Sequence, residues 1–388
     1  MLVSVALYDR GMIGQGFTFD LPEERDMHEV LGLWVRVPFG SKDALGVIVG
    51  PGDQLLEGTT VHAVWAVESH PLDFRLPALS CSLMLWMSAY YLSPLHRVLR
   101  LFVPLALWEG TFQPKRLVEV VPRVSSGAIP RQKKQVTKLL TYLEQEGVRP
   151  KHAVLEQVSS GVLRAAVDAG YVEVEERGLL PVHRPSGPTT QPKILSVEQR
   201  AILNEMEAHY PETSLLYGVT GAGKTEMYVH IAERMREKGK QTALLVPEIA
   251  LTPQLLTYFQ NVFGERLAVL HSRLSEGEKC QEWLRIAAGD VDVVIGSRSA
   301  LFAPYRTLGQ IILDEEHEWT YKNEQNPRYL THTVAEQMAT IAKGEIGVLF
   351  ASGTPALERF ARARGDVPEA QPLRLYTLDR RIYEQTFI

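Results

Sequence analysis

The stretch Gly218-Val219-Thr220-Gly221-Ala222-Gly223-Lys224-Thr225 decides the fold class of this 388-residue chain. It has the GxxxxGK[ST] spacing of a phosphate-binding loop, and glycines at these positions let backbone amides surround an anion. A short apolar run, residues 214–217, precedes it, and residues 226–238 have a helical pattern. We therefore predict a strand, a phosphate loop and a helix whose N-terminal dipole faces the phosphates.

The residues of this loop are the candidate nucleotide-binding residues. The glycines that would allow the backbone to curl are Gly218, Gly221 and Gly223. Lys224 would reach the outer phosphates, and Thr225 would bind Mg²⁺. Glu226, at the start of the predicted helix, belongs to the same candidate set.

An acidic cluster follows a second apolar strand in Ile311-Ile312-Leu313-Asp314-Glu315-Glu316-His317. In a nucleotide site, the aspartate at the strand end holds Mg²⁺, and the next carboxylate polarises the attacking water. Four polar residues after a strand could also form a solvated loop. The phosphate loop upstream favours the nucleotide site, with Lys224, Thr225, Asp314 and Glu315 as candidate catalytic residues.

The composition is that of an ordinary globular protein, with 45% hydrophobic and 22% charged residues and a net charge of −5. It excludes wholesale disorder and fibrous repeats. Two distant cysteines, Cys81 and Cys280, exclude a disulfide scaffold and a four-cysteine zinc site. The amino terminus has no signal-peptide pattern, and the longest apolar stretch is interrupted by charges, so we expect a cytoplasmic protein without a membrane span.

The chain divides by composition into an α/β multidomain fold. Residues 1–108 read as a small β-rich domain, and 109–183 as a winged helix. Within the second region, residues 114–151 carry nine Lys or Arg against three Glu, which could also be a solvated basic surface on a helical spacer. A proline-rich linker, 184–193, leads to a RecA-like parallel-sheet lobe, 194–365, and 366–388 reads as a tail.

Polar residues follow several of the predicted strands in the lobe. Small hydroxylated residues at the carboxyl ends of strands suit contacts to a nucleic-acid backbone, although each segment alone could be an ordinary loop. The segments are Leu245–Gln254, Leu270–Ser272, Ile295–Pro304 and Ser352–Pro355.

Together these motifs resemble those of the superfamily 2 DExH helicases, and among them the PriA family of bacterial replication-restart helicases. The resembling segments are Tyr217–Glu226, Val246–Gln254, Gly296–Pro304, Asp314–His317 and Ser352–Glu358. The resemblance implies ATP and Mg²⁺ as cofactors, with Gln199 as the adenine contact. It also implies an aromatic-rich loop that senses single-stranded DNA. The candidate DNA contacts in that loop are Trp319, Tyr321 and Lys322, although the aromatic residues could also be packing residues, and Arg298 in the segment Gly296–Pro304 is a further candidate.

The amino-terminal region is similar to the domain of that family that binds the 3′ end of a nascent leading strand. By resemblance, Phe17 and Thr18 would lie near the terminal nucleotide, with Gly40 and Lys42 nearby. Phe17 could also be a core residue. The basic region 114–151 is similar to the family's second DNA-binding module.

Two departures from the family pattern stand out. Family members continue into a second RecA-like lobe with a cysteine-rich zinc module and an arginine finger, whereas 30 residues follow Glu358 here, so we expect no zinc and weak or absent hydrolysis by this chain alone. The second departure is Leu330-Thr331-His332-Thr333, where the family has His-Ala-Arg-Asp. We expect this change to weaken coupling between DNA and ATP.

Two functional hypotheses follow from the resemblance. In the first, the chain binds stalled or forked DNA and promotes primosome assembly and reloading of the replicative helicase, with ATP binding regulatory. In the second, it is an ATP-dependent 3′→5′ DNA helicase that needs a second lobe in trans. The implied partners are forked and single-stranded DNA, single-stranded DNA-binding protein, and primosome and helicase-loading proteins.

Overall fold

The computed structural model describes residues 1–22, 25–53, 61–64, 66–68, 74–128, 133–179, 181–182, 190–369 and 371–381. They form two compact units, Met1–Phe112 with Val182–Ile388, and Gln113–Pro181. Most of the predicted linker 184–193, and the last seven residues of the predicted tail, lie outside the described residues. Within the described ranges, no helix is long and apolar enough to cross a membrane.

The first unit begins with a five-stranded antiparallel sheet in the order β2-β1-β4-β3-β5. Its elements are β1 Leu2–Leu7, β2 Phe17–Asp20, α1 Met27–Val30, β3 Trp34–Phe39, β4 Lys42–Pro51 and β5 Ala66–Glu68. Alternating apolar residues such as Val3, Val5, Val35 and Val37 are fully buried and form its core. The sheet curls back on itself, because Asp20 at the end of β2 bridges Ala63, just before β5.

Three helices follow this sheet: α2 Ala78–Tyr90, α3 Leu95–Phe102 and α4 Leu105–Trp108. Each is preceded by a proline at its N-cap, Pro77, Pro94 and Pro104. Proline's restricted φ and missing amide hydrogen suit such a boundary, so the prolines fix where the helices begin.

The second unit contains a three-stranded antiparallel sheet, β7-β6-β8, and three helices. Its elements are β6 Arg116–Pro122, α5 Lys134–Glu146, β7 Arg149–Pro150, α6 Lys151–Gln157, α7 Ser160–Asp168 and β8 Val172–Leu179. The apolar face of α5, with Leu139, Leu140 and Leu143, packs against Leu163 and Ala166 of α7. A small antiparallel sheet packed with helices agrees with the winged-helix fold class expected for this region, although β8 pairs with the upstream strand β6.

The remainder of the first unit is an α/β lobe with a seven-stranded parallel sheet, ordered β11-β12-β10-β13-β14-β9-β15. Its strands are β9 Thr213–Gly218, β10 Gln241–Leu245, β11 Leu267–Leu270, β12 Val293–Gly296, β13 Leu308–Asp314, β14 Gly347–Ser352 and β15 Arg374–Leu378. Its helices are α8 Val197–Ala208, α9 Lys224–Glu237, α10 Pro253–Phe263, α11 Glu276–Ala288, α12 Thr331–Ile341 and α13 Leu357–Arg364. The central strands are buried on both faces, as expected for a parallel sheet covered by helices.

The prediction that residues 366–388 form a tail outside the lobe was wrong. Strand β15 pairs in parallel with β9, with Arg374 opposite Ser214 and Leu378 opposite Gly218. Tyr376 and Leu378 are buried in the lobe core. The strand covers the edge of β9 and therefore belongs to the sheet that carries the phosphate loop.

Candidate nucleotide site and DNA-contacting surfaces

The phosphate loop leaves β9 at Gly218 and enters α9 at Lys224, as predicted. Gly221 and Gly223 have φ of +83° and +79°, left-handed values that residues with a Cβ atom rarely adopt. Lys224 Nζ donates to the carbonyl oxygen of Gly218 at 2.9 Å, so the side chain folds back over the loop. The loop therefore surrounds an anion-binding space at the N-terminus of α9, and the ammonium of Lys224 lies in this space.

Asp314 ends β13, and β14 separates this strand from β9 in the sheet. Because all the strands are parallel, their carboxyl ends share one edge, which brings Asp314 close to the phosphate loop. The hydroxyl of Tyr228, on α9, donates to Asp314 Oδ1 at 2.6 Å. Burial raises the pKa of Asp314 above its usual value, and the bond from Tyr228 and the charge of Lys224 act in the opposite direction.

Glu315 follows with a φ of +45°, a strained value for a residue with a side chain. Its Oε1 lies 3.8 Å from Lys224 Nζ. Gly353, after β14, borders the phosphate loop. A Cβ atom at this position would lie 3.8 Å from Lys224 Nζ and 3.8 Å from the Thr220 nitrogen. The glycine leaves this space open. The ammonium of Lys224, the backbone amides of the loop and the carboxylates of Asp314 and Glu315 fit a nucleoside triphosphate with a divalent metal.

The other predicted nucleotide contacts occupy the rim of the loop. Thr225 is the second residue of α9 and is half-buried. Gln199 is 2% exposed; its Nε2 donates to the Ala222 carbonyl at 2.9 Å, and its Oε1 accepts from the Ser196 amide at 2.9 Å. Gln199 therefore braces the loop, and its contact with adenine stays a prediction. Glu226 accepts a hydrogen bond from Tyr258 and lies 3.4 Å from His230 Nε2.

Sequence reasoning missed the partners of the two residues that follow Glu315. Glu316 is fully buried, bonded to Arg359 and accepting from the Ala356 amide at 2.7 Å. His317 Nδ1 lies 2.7 Å from Ser352 Oγ. Both residues stood in the quoted acidic motif, but nothing in the linear sequence identifies partners 35 to 43 positions away.

Burial would raise the pKa of Glu316. The bond from His332, the charge and hydrogen bond of Arg359 and the Ala356 amide outweigh it, so the pKa is lowered. Glu316 is therefore a buried carboxylate that ties the end of β13 to α13.

The predicted aromatic loop, residues 319–322, divides into exposed and buried side chains. Trp319 is 74% exposed and Lys322 is exposed. The proposed DNA contact by Tyr321 is not possible in this conformation because Tyr321 is 1% exposed. Its hydroxyl instead lies 2.9 Å from the Leu245 carbonyl oxygen and 2.7 Å from that of Asp314. Tyr321 thus links the loop to the strand end that carries the nucleotide site.

Arg298 holds the aromatic loop by hydrogen bonds to its backbone. Its Nη1 donates to the carbonyl oxygens of Thr320 and Lys322, each at 2.9 Å. The departure at residues 330–333 also meets this loop. Thr331 Oγ1 donates to the Tyr321 carbonyl at 2.7 Å, and His332 Nε2 lies 2.7 Å from the Glu316 carbonyl oxygen. These contacts join the loop to the acidic motif.

The four predicted DNA contacts in the amino-terminal sheet fall into two groups: Phe17, Gly40 and Lys42 lie together, and Thr18 has a different neighbour. Phe17 meets Phe39 edge to face at 5.0 Å, and Phe39 pairs with Lys42 across a turn in which Gly40 has a φ of +65°. Phe17 is half-buried, between the core and surface alternatives, and Lys42 is exposed. Thr18 has its Oγ1 3.3 Å from the Asp53 amide.

Two family models match the chain in the regions just described. A "3′DNA-binding domain" matches residues 3–104, and "DEAD/DEAH box helicase" matches residues 196–362. The first family model carries the PriA name, and the curated proteins most similar to this chain include many replication restart PriA proteins. The chain belongs to the PriA family.

Two PriA relatives show how similar this chain is to members of the family. The replication restart protein PriA of Bacillus subtilis (strain 168) is 41% identical over 240 residues, which cover 60% of this chain and 30% of the relative. That of Chlamydia muridarum is 33% identical over 370 residues, covering 89% and 48%. The chain thus spans less than half the length of these PriA proteins.

Among solved structures, the chain is similar to RecG bound to a three-way DNA junction. The TM-score is 0.36 and the identity 19%, over 65% of this chain and 30% of the other. The two matched family models are thus named for binding of DNA 3′ ends and for a DEAD/DEAH box helicase, a family that implies an ATP site with a divalent metal.

Proposed function

We propose that the chain recognises stalled or forked DNA and promotes primosome assembly and reloading of the replicative helicase. One observation carries the proposal: the 3′DNA-binding domain and the helicase lobe lie in one compact unit. Ser93, in the first, donates its hydroxyl to Asn326 Oδ1 in the second at 2.6 Å. This contact supports a role in which one body carries both the 3′DNA-binding domain and the helicase lobe.

The nucleotide of this proposal is ATP, with Mg²⁺ as the metal. Thr225 and Asp314 would hold the ion, which neutralises phosphate charge when bound. Lys224 binds the outer phosphates, Glu315 orients a water or senses the γ-phosphate, and Gln199 contacts the adenine. We further propose the cytoplasm as the location, with single-stranded DNA-binding protein and primosome and helicase-loading proteins as partners.

The second candidate is an active ATP-dependent 3′→5′ DNA helicase. The observation that favours it is the 3.8 Å separation of Glu315 Oε1 and Lys224 Nζ, because it puts a candidate general base beside the residue that would bind the outer phosphates. Hydrolysis also needs cationic groups that close the site from the opposite side, such as an arginine finger. In this candidate, a second lobe supplies them in trans.

The test uses the purified chain, a fork with a 3′-hydroxyl end at its branch, and the same fork with a 3′-phosphate. We expect the fork to bind at least about tenfold more tightly than plain duplex of equal length, and the 3′-phosphate to reduce that preference. Equal affinity for fork and duplex would contradict fork recognition.

The nucleotide site is tested separately with a fluorescent ATP analogue. We expect binding that needs Mg²⁺ and is lost in Lys224→Ala, and hydrolysis is then measured with fork DNA present. Turnover that Lys224→Ala abolishes favours the helicase candidate, whereas binding without turnover favours the fork-recognition role.

A further inference from the structure

The helical segment of the 3′DNA-binding domain has an unusual charge pattern. Residues 74–108 contain no Asp or Glu, but they contain Arg75, Arg97, Arg100 and His96. In a chain with a net charge of −5, an acid-free run of this length is a local excess of positive charge. Arg97 and Arg100 lie exposed on α3, so the excess is on the surface and suits a polyanion.

An aromatic pair lies on α2 of this segment, with Tyr90 exposed and Trp86 half-buried. Trp86 and Tyr90, four residues apart and therefore on one face of the helix, stack with centroids 4.7 Å apart and planes 20° apart. Tyr90 is 59% exposed, and Leu92 beyond it is 73% exposed with a φ of +50°. Tyr91 closes the other side, edge-on to both rings. Tyr90 is therefore the solvent-exposed ring of the pair, and Trp86 stacks against it.

Two hydrogen bonds connect the end of α2 to the loop that follows the aromatic loop of the helicase lobe. The Leu330 amide donates to Tyr91 Oη at 3.3 Å, and Ser93 bonds Asn326. Leu330 in turn bridges Lys322, whose amide bonds the Trp319 carbonyl at 3.0 Å. The aromatic pair of α2 is therefore joined to exposed Lys322 and Trp319 through a few direct contacts.

We propose that the Trp86–Tyr90 pair is a stacking platform for bases of single-stranded DNA. This inference rests on the proposed function, because it supplies an internal strand contact between the 3′-end domain and the aromatic loop. Bases stack on aromatic rings without regard to sequence, while cations such as Arg97 and Lys322 hold the backbone. A protein segment could also cover apolar rings, but residues 74–108, which carry the pair, contain arginines and no Asp or Glu, and this favours a polyanion.

The experiment measures binding of a fluorescent 20-nucleotide oligothymidylate without nucleotide. Its 3′ end carries a phosphate, so that a 3′-hydroxyl pocket makes no contribution. An abasic strand of the same length tests the backbone contribution alone. The variants are Tyr90→Ala, Tyr90→Leu, which keeps apolar bulk without a ring, and Tyr90→Phe, which keeps the ring without the hydroxyl.

We expect Tyr90→Ala and Tyr90→Leu to weaken oligothymidylate binding about tenfold, a typical effect of losing one stacked base. Tyr90→Phe should bind as the unaltered chain does, and no variant should change binding to the abasic strand. Because Tyr90 is exposed, the thermal unfolding midpoints should agree, and Tyr90→Leu separates loss of the ring from loss of bulk.

Three results would overturn the proposal. The first is unchanged oligothymidylate binding in Tyr90→Ala. The second is full binding in Tyr90→Leu, which would assign a plain apolar contact. The third is a Tyr90-dependent dimer in sedimentation, which would assign the face to a second copy. None of these depends on fork preference or ATP binding, so failure here is distinguishable from failure of the proposed function.

Discussion

The hydroxyl of Tyr228 donates a hydrogen bond to Oδ1 of Asp314 at 2.6 Å, across 86 positions of sequence. The bond fixes the carboxylate at the end of β13 to the helix that begins with the phosphate loop. It also acts on the charge of the site, because it lowers a pKa that burial raises. Tyr228 is thus a positioning residue for the acidic motif.

Tyr228→Phe should make nucleotide binding more sensitive to acid. Without the hydroxyl, the pKa of Asp314 rises further, and metal binding needs the deprotonated form. Mg²⁺-dependent affinity for an ATP analogue is therefore lost as pH falls, and the midpoint of that loss should shift upward by about one pH unit. Tyr305→Phe is the control, since the Tyr305 hydroxyl donates to the Ala300 carbonyl at 2.8 Å rather than to a carboxylate of the acidic motif. Identical midpoints would contradict the prediction.

Glu315→Gln should separate binding from turnover. The side chain lies 3.8 Å from Lys224 Nζ but is not part of the phosphate loop, so affinity for the ATP analogue should stay within about threefold. In the helicase candidate, hydrolysis supported by fork DNA and a second lobe in trans should fall about 10²-fold or more, since a general base is removed. Lys224→Ala, which should lose binding itself, is the comparison. Loss of binding in Glu315→Gln would mean that Glu315 only stabilises the loop.

Arg298→Ala should disrupt the coupling between DNA binding and nucleotide affinity, and it should leave the nucleotide site itself intact. The side chain holds the carbonyls of Thr320 and Lys322, so its loss frees the aromatic loop. We expect single-stranded DNA to change nucleotide affinity about fivefold or more in the unaltered chain and not at all in the variant. Arg328→Ala, which removes an exposed cation of the same region, should keep the coupling. Equal behaviour of the two variants would make Arg298 a simple DNA contact.

Glu316→Gln should destabilise the lobe by about 2 to 4 kcal/mol, because Arg359 loses the partner of a buried ion pair. Urea unfolding measures it, with Glu336→Gln as the control. Glu336 pairs with Arg362 nearer the surface, where the loss should stay below about 1 kcal/mol. The pKa of Glu316 is lowered, so its contribution is present at neutral pH and is lost as pH falls through that lowered value. Equal losses in the two variants would contradict it.

Lys42→Ala should weaken fork binding and reduce its salt dependence. Lys42 lies at the tip of the β3–β4 hairpin and is exposed. Losing one phosphate contact should reduce the slope of log affinity against log salt by about one. Lys343 precedes β14 at the amino-terminal edge of the helicase sheet, and Lys343→Ala should leave the slope unchanged. A slope that Lys42→Ala does not alter would exclude a phosphate contact at this hairpin.

The local features of the nucleotide site were predictable from the sequence. A phosphate loop is contiguous, and its glycine spacing and flanking periodicity are set by backbone conformation within eight residues. The acidic strand end at Asp314 and the amphipathic face of α5 are likewise local patterns.

The pairing of distant residues was decided only by the tertiary structure. The sheet order places β14 between β9 and β13, and this non-sequential arrangement brings Ser352 to His317 and Arg359 to Glu316. The same packing buries Tyr321, which the sequence presented as a DNA contact. Strand β15 shows the limit most clearly. Its five residues have little pattern of their own and become a strand because the edge of β9 offers unpaired backbone groups.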